Sequence, residues 1–246
     1  MIFFTNRAYT GSYQLGCRTL VLVYSLSKII TARYDKNKLF SKEMRLYMKI
    51  SFVSPAYNSE QWIKTMLDSI PKEYAYEILV CDDASTDNTV AILEDYQKSC
   101  KQLKLLKNEV NIGASDSYNR LIAEATGDYI AIIDSDDHYL PAIRDVLAQI
   151  DGKYDIYYYN MITKHGYIFK KDISTMYSWP GQFKIIRRSF IGDAVFTKRK
   201  DIAGDWDFNR ALMDRNPTGK YTDIVAYWYN YPREGSESDL HLRGLK

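Results

Sequence analysis

Three cysteines in 246 residues, Cys17, Cys81 and Cys100, are too few for a disulfide framework, and none has the paired spacing of a zinc ligand set. That usage fits a reducing compartment, so a cytoplasmic protein is expected. Long apolar runs are missing as well. The stretch Thr19 to Ile30 (TLVLVYSLSKII) is broken by serines and a lysine and falls well short of the roughly 20 residues that cross a bilayer. No transmembrane helix is expected. A glycine-rich phosphate loop after the first strand is also lacking, which argues against a nucleotidyltransferase.

Strong net charge is the fourth absence, although the overall +2 hides an asymmetry. Residues 1 to 47 hold eight Lys/Arg against Asp35 and Glu43, which is +6, and leave −4 for the rest. A slightly acidic body argues against nucleic acid as the main partner, because phosphate contacts need clustered cations. The basic lead segment is suited to peripheral contact with an anionic membrane surface. It shows no clear period and is read as a loose basic arm or a mis-assigned start upstream of Met48. A targeting peptide ranks below both, because its apolar run comes too late for a secretory signal.

What is present is 46% hydrophobic side chains and 22 tyrosines, enough for one core with a small appendage. From Met48 onward strands and helices alternate, which predicts an α/β fold with a Rossmann-like, mostly parallel sheet flanked by helices. Lys49 to Ser54 is the first strand, and Trp62, Ile63, Met66, Leu67 and Ile70 mark one helix face, with Trp62 expected in the core. Glu77 to Cys81 is the second strand; Thr86 or Asp87 caps the helix after it. A short third strand lies near Leu103 to Leu106. Asn111-Ile112-Gly113 opens a helix that Gly127 is expected to end as a left-handed cap. Asp128 to Asp134 is a buried strand, Pro141 starts a helix, Tyr154 to Tyr159 is a strand, and Met161 to Lys171 a hairpin. Trp206 to Met213 is read as helical and Tyr221 to Tyr231 as a strand or extended tail. Residues 48–140 then form a nucleotide-binding part and 141–246 an acceptor-side part.

The chemical clue is carboxylates at two strand tips, where ligands bind in open α/β sheets. Asp82 and Asp83 follow one strand, and Asp134, Asp136 and Asp137 follow another. Like charges packed together are unfavourable without a cation, and hard oxygen ligands favour Mn2+ or Mg2+ with positions left open for phosphates. A lone Asp-x-Asp is more often a solvated loop; here it ends a strongly apolar strand.

With these residues in view, Met48 to about Ser238 resembles the family 2 inverting glycosyltransferases of the GT-A fold. Four blocks carry the likeness: KISFVSPAYN (Lys49 to Asn58), EILVCDDASTDNT (Glu77 to Thr89), NIGASDSYNRLIAEATGDYIAIIDSDD (Asn111 to Asp137) and Gly204-Asp205-Trp206-Asp207. The resemblance implies a sugar moved from a nucleotide-diphospho-sugar, with a uracil base, onto a glycan or glycolipid acceptor for a cell-surface polysaccharide or lipopolysaccharide. It implies nucleotide contacts at Pro55, Tyr57, Asp82, Asp83, Asn111, Gly113, Asp134, Ser135 and Asp136. Tyr57 would lie beside the base and Asp83 would accept from its ring nitrogen. Asp136 and Asp137 would hold the metal, and Asp205 would be the general base. Trp206 and Arg233 are further candidates for acceptor or diphosphate contacts.

The sequence departs from the family pattern in three places. Gly204 stands where an acidic residue usually precedes the base, so Asp205 competes with a plain helix N-cap. Tyr118 replaces an arginine, and Arg233 stands where a histidine is common; a surface arginine is its plainer account. Trp206 stacks on a sugar or merely packs. His138 and His165 are read as loop and turn residues. The spacing of Asp83, Ser85, Asp87 and Glu94 mimics a calcium loop, but Asn88 replaces its glycine and a strand precedes it. The rival functional reading is a domain that binds sugar nucleotides without turning them over.

Overall fold

The computed structural model describes residues 48–170, 183–198 and 205–234, all within one unit, Arg45–Lys246. The basic segment 1–47, Gly204 and the tail from 235 lie outside the described residues, as do the readings made of them.

Nine strands form one mixed sheet in the order β3-β2-β1-β4-β8-β6-β9-β5, with β7 paired to β6. The parallel half contains β1 (Ile50–Ala56), β2 (Ala75–Asp82), β3 (Leu103–Lys107) and β4 (Tyr129–Ile132). All seven residues of β1 and all four of β4 are buried, as parallel strands covered on both faces must be. Alternate residues divide between two apolar layers. Phe52, Ile78, Val80, Tyr129 and Ala131 pack on one side. Val53, Leu79, Cys81, Ile130 and Ile132 pack on the other.

The first layer is closed by α1 (Ile63–Ser69), α2 (Thr89–Ser99) and α4 (Ile143–Leu147), through Ile63, Met66, Leu67, Leu93, Ile143 and Val146. The second is closed by α3 (Ala114–Glu124) and α6 (Asp205–Met213), through Leu121, Phe208 and Leu212. The N-cap of α2 is Asn88, not Thr86 or Asp87 as the sequence suggested; Asp87 Oδ1 instead accepts from Thr89 N at 2.9 Å from one residue before the cap. α3 ends at Glu124, and Gly127 is not left-handed. Gly127 is needed for close approach instead: a Cβ there would sit 2.5 Å from Ser51 Oγ and 2.8 Å from Lys49 O.

The other half comprises β6 (Ile156–Thr163), β7 (Ile168–Phe169), β8 (Lys184–Arg187), β9 (Gly219–Tyr229) and β5 (His138–Tyr139), with α5 (Arg188–Ile191) after β8. β6 and β7 form the expected hairpin, turning at Gly166 with φ +82°. β5 and β8 were not foreseen. β8 is inserted antiparallel between β4 and β6, and β5 pairs His138 with Trp228 of β9. His138 is thus a strand residue whose ring stacks on Trp228 at 4.6 Å. The sheet's register sets Ala56 beside Asp82 and Val53 beside Ile132, so the ends of β1, β2 and β4 open side by side.

Candidate active site

The turn after β1 is laced to the turn after β2. Asn58 N donates to Ser85 Oγ at 2.9 Å, Thr86 N to Asn58 Oδ1 at 2.9 Å, and Ser59 N to Thr89 Oγ1 at 2.7 Å. The lacing holds Asn58 and Ala84 left-handed, at φ 47° and 61°. Pro55 is buried in the last turn of β1, while Tyr57 just beyond it is 49% exposed. A large ring left half in solvent on a rigid turn can receive a flat ligand face.

Asp82 and Asp83 divide the work between them. Asp83 Oδ1 accepts from Asn108 Nδ2 and Ile112 N, both at 2.8 Å, and Oδ2 accepts from Gly113 N at 2.8 Å. Gly113, at φ +87°, turns the chain into α3 so that both amides face this carboxylate. Asp83, expected to read a base, therefore clamps the loop before α3. Asp82 is also buried; its Oδ2 accepts from Ser85 N at 3.1 Å. Asp82 Oδ1 is the one buried side-chain polar atom left without a partner among the described residues. Such an acceptor is costly unless a ligand supplies a donor. Asn111 is exposed on the same loop. The imagined calcium loop is dispersed, with Asp83 in this clamp and Glu94 paired to Lys107 on the surface.

Beyond β4 the acidic turn is sorted in the same way. Asp137 is 2% exposed. Its Oδ2 accepts from Tyr227 Oη at 2.6 Å and its Oδ1 from Asn230 N at 2.8 Å. Tyr227 Oη in turn accepts from Asp134 N at 3.2 Å. Burial, and then the charges of Asp134 and Asp136, push the Asp137 carboxyl well above the usual range; the two donors only oppose this. With both oxygens engaged inside the fold, Asp137 does not fit the metal role expected of it.

Asp134 accepts from the buried Tyr118 hydroxyl, which burial and the neighbouring carboxylates keep protonated. Tyr118 also stacks on Phe196 at 4.8 Å, and Phe196 on Phe208 of α6 at 4.3 Å. The departure at Tyr118 therefore braces the acidic turn. Arg120 is directed elsewhere, donating to Lys107 O and Asn108 Oδ1. Ser135 Oγ lies 2.8 Å from Ser59 Oγ, joining this turn to the one after β1.

Asp136 is the carboxylate that faces outward, and a cation already sits on it: Arg233 Nε donates to Asp136 Oδ2 at 2.6 Å. The same guanidinium lies 4.9 Å above the Trp62 ring, which is only half-buried and not the core residue expected. Among the described residues no three acidic, imidazole or thiol side chains converge on one point. Asp136 and Asp134 of the same turn could offer an ion at most one or two carboxylates, with phosphate oxygens and water needed to complete its shell. Asp205 and Trp206 open α6 and are partly buried. Asn209 Nδ2 faces Asp205 Oδ2 at 3.5 Å, and Asp207 Oδ2 accepts from Thr197 Oγ1 at 2.6 Å. Sequence reasoning missed Asn108, Tyr227 and Asn230. Only the place of Asn108, just after β3, could have suggested it.

The model of the family described as "Glycosyl transferase family 2" matches residues 51–212. The chain belongs to glycosyl transferase family 2. Within the family it is 43% identical over 97 residues to the poly(ribitol-phosphate) beta-glucosyltransferase of Bacillus spizizenii, covering 37% of this chain and 15% of that protein. It is 40% identical over 93 residues to the UDP-Glc:alpha-D-GlcNAc-diphosphoundecaprenol beta-1,3-glucosyltransferase WfgD of Escherichia coli, covering 37% of this chain and 36% of that one. The S. aureus TarS 1-349 crystal structure in complex with UDP-GlcNAc superposes with a TM-score of 0.67 at 27% identity, over 77% of this chain and 60% of that one. The family 2 chain thus spans little more than a third of these curated relatives at most. Its fold is that of GT-A glycosyltransferases, and no described helix is long and apolar enough to cross a membrane.

Proposed function

We propose that this chain transfers a sugar, with inversion, from a UDP-sugar to a hydroxyl of a cell-surface glycan or glycolipid at the cytoplasmic face of a membrane. The observation that carries the donor reading is the orphaned Asp82 Oδ1. It lies on the strand tip beside the turn that presents Tyr57. An imide N–H of uracil stacked on Tyr57 would satisfy it, whereas cytosine, with an acceptor at that position, would not. The UDP-GlcNAc complex of the TarS structure supports the same donor class.

In this reading the diphosphate lies over the acidic turn. Asp136, with Asp134, would hold a divalent ion, Mn2+ or Mg2+, which when bound stabilises charge on the departing diphosphate. Arg233 leaves Asp136 for the phosphates, and Trp62 gives its guanidinium a shelf to move along. Asp205 removes the acceptor proton as that oxygen attacks the anomeric carbon from the side opposite the leaving group, and one displacement inverts the centre. Trp206 beside it is placed to stack against an acceptor sugar.

The test is UDP release from a panel of UDP-sugars with manganese and glycan acceptors. Asp205→Asn is expected to bind UDP normally and to lose about 10²-fold in transfer. Nucleotide binding with no transfer from any donor would convert the protein to a non-catalytic binder; full turnover by Asp205→Asn would move the base elsewhere.

A further inference from the structure

Lys184 is 1% exposed, an unusual place for an ammonium group. It opens β8 opposite Tyr158 of β6, one residue beyond the Ala131–Ile185 pair, and so stands beside the end of β4 from which the acidic turn leaves. Its Nζ donates to Asn209 Oδ1, and Asn209 is itself 1% exposed on α6. One helical turn earlier on the same helix is Asp205, whose Oδ2 faces Asn209 Nδ2 at 3.5 Å.

The polarity of this chain of groups is fixed by chemistry. An ammonium has only donors, so the amide must turn its oxygen to Lys184. Its NH2 is then left for Asp205, and an NH2 can only donate. The Asp205 oxygen facing that NH2 must therefore accept, which fixes how the carboxylate is turned. A reversed amide would set donor against donor at the lysine.

We propose that Lys184 and Asn209 are positioning residues for Asp205: the buried ammonium locks the Asn209 amide, and the amide NH2 aims the Asp205 carboxylate for proton removal. This rests on the reading of Asp205 as the general base. The relay also accounts for a lysine placed at the inner edge of a site that otherwise gathers acidic groups.

Asn209→Asp separates this role from a merely structural one. The substitution keeps an acceptor for Lys184, so the fold is retained, but it replaces the donor facing Asp205 with a like charge. We expect kcat for transfer from UDP-glucose or UDP-N-acetylglucosamine to a ribitol phosphate oligomer or an octyl glycoside to fall at least tenfold. The donor KM and the UDP dissociation constant should stay within twofold. Asn209→Leu, which deletes both the acceptor for Lys184 Nζ and the donor facing Asp205, should lower kcat as well. Unchanged kcat in Asn209→Asp, while Asp205→Asn is inactive, overturns the relay alone. If Asp205→Asn itself turns over normally, the base assignment fails and the relay fails with it.

Discussion

Replacing Asp82 with asparagine tests the donor reading at a single atom. The substitution preserves shape, and the asparagine oxygen can still accept from Ser85 N, the partner that Oδ2 now holds at 3.1 Å. What changes is the group at the Oδ1 position, where an unpartnered carboxylate oxygen becomes an NH2. In the free protein an unpartnered buried acceptor becomes an unpartnered buried donor while a buried charge is lost, so stability should change little. In the complex with UDP it removes one hydrogen bond to a charged group, worth about 1.5–3 kcal/mol. It also sets the new NH2 against the imide N–H. UDP affinity should therefore fall roughly 10- to 150-fold. CDP, whose ring nitrogen accepts at that position, should gain relative to UDP. Isothermal titration of both nucleotides onto both proteins, with manganese present, measures the four constants. A UDP affinity within threefold of the parent, or equal losses for UDP and CDP, would refute the argument that Asp82 reads the base.

Glu77 governs acid stability. Its carboxyl is buried, which alone would raise its pKa, but Lys104, Thr126 N–H and the Ser51 and Thr126 hydroxyls hold it down to about 2 from its ordinary 4.5. Because the folded value is the lower one, the stabilisation is full above about pH 4.5 and is lost as pH falls towards 2, amounting to about 3 kcal/mol at most. Urea midpoints of the parent should drop across that window, and those of Glu77→Gln should be flatter. Tyr227→Phe deletes the hydroxyl that bonds both Asp134 N and Asp137 Oδ2, so it should lose about 2–3 kcal/mol in the same assay, about 1–1.5 kcal/mol for each bond. A loss under about 0.5 kcal/mol would show that water replaces it. Arg233→Gln uncovers a partly exposed Asp136, a pair worth about 1 kcal/mol. Manganese binding without nucleotide, followed by electron paramagnetic resonance, should tighten about fivefold, while UDP binding weakens.

The parallel half of the sheet was legible because β1, β2 and β4 are mostly apolar, mostly buried runs closed by a polar turn, the pattern that burial on both faces imposes. β8 and β5 were not, for a different reason. Four residues and two residues are too short to show a period, and their strand state comes from partners far along the chain, β4, β6 and β9. Gly127 was misread because a glycine after a helix fits a left-handed cap and a backbone crossing equally well. Only the approach of Ser51 and Lys49 shows which applies. Trp62 followed the periodicity of the α1 face, yet it stands at the N-terminal edge of the helix, where the face runs out and Arg233 covers it.

The acidic residues themselves show where reading by residue type stops. Each strand tip offers adjacent aspartates, Asp82-Asp83 and Asp136-Asp137, and composition cannot say which of each pair the protein's own donors saturate. Asp83 and Asp137 are the saturated members, holding three and two protein donors, and they fix the loops that start α3 and receive the end of β9. Asp82 and Asp136 are the members left with something to offer: an orphaned oxygen in one, an arginine in the place of an exchangeable cation in the other. A doubled aspartate at a strand tip thus has a structural logic of its own. The saturated carboxylate builds the turn, and that turn holds its neighbour where an oxygen is left for another partner.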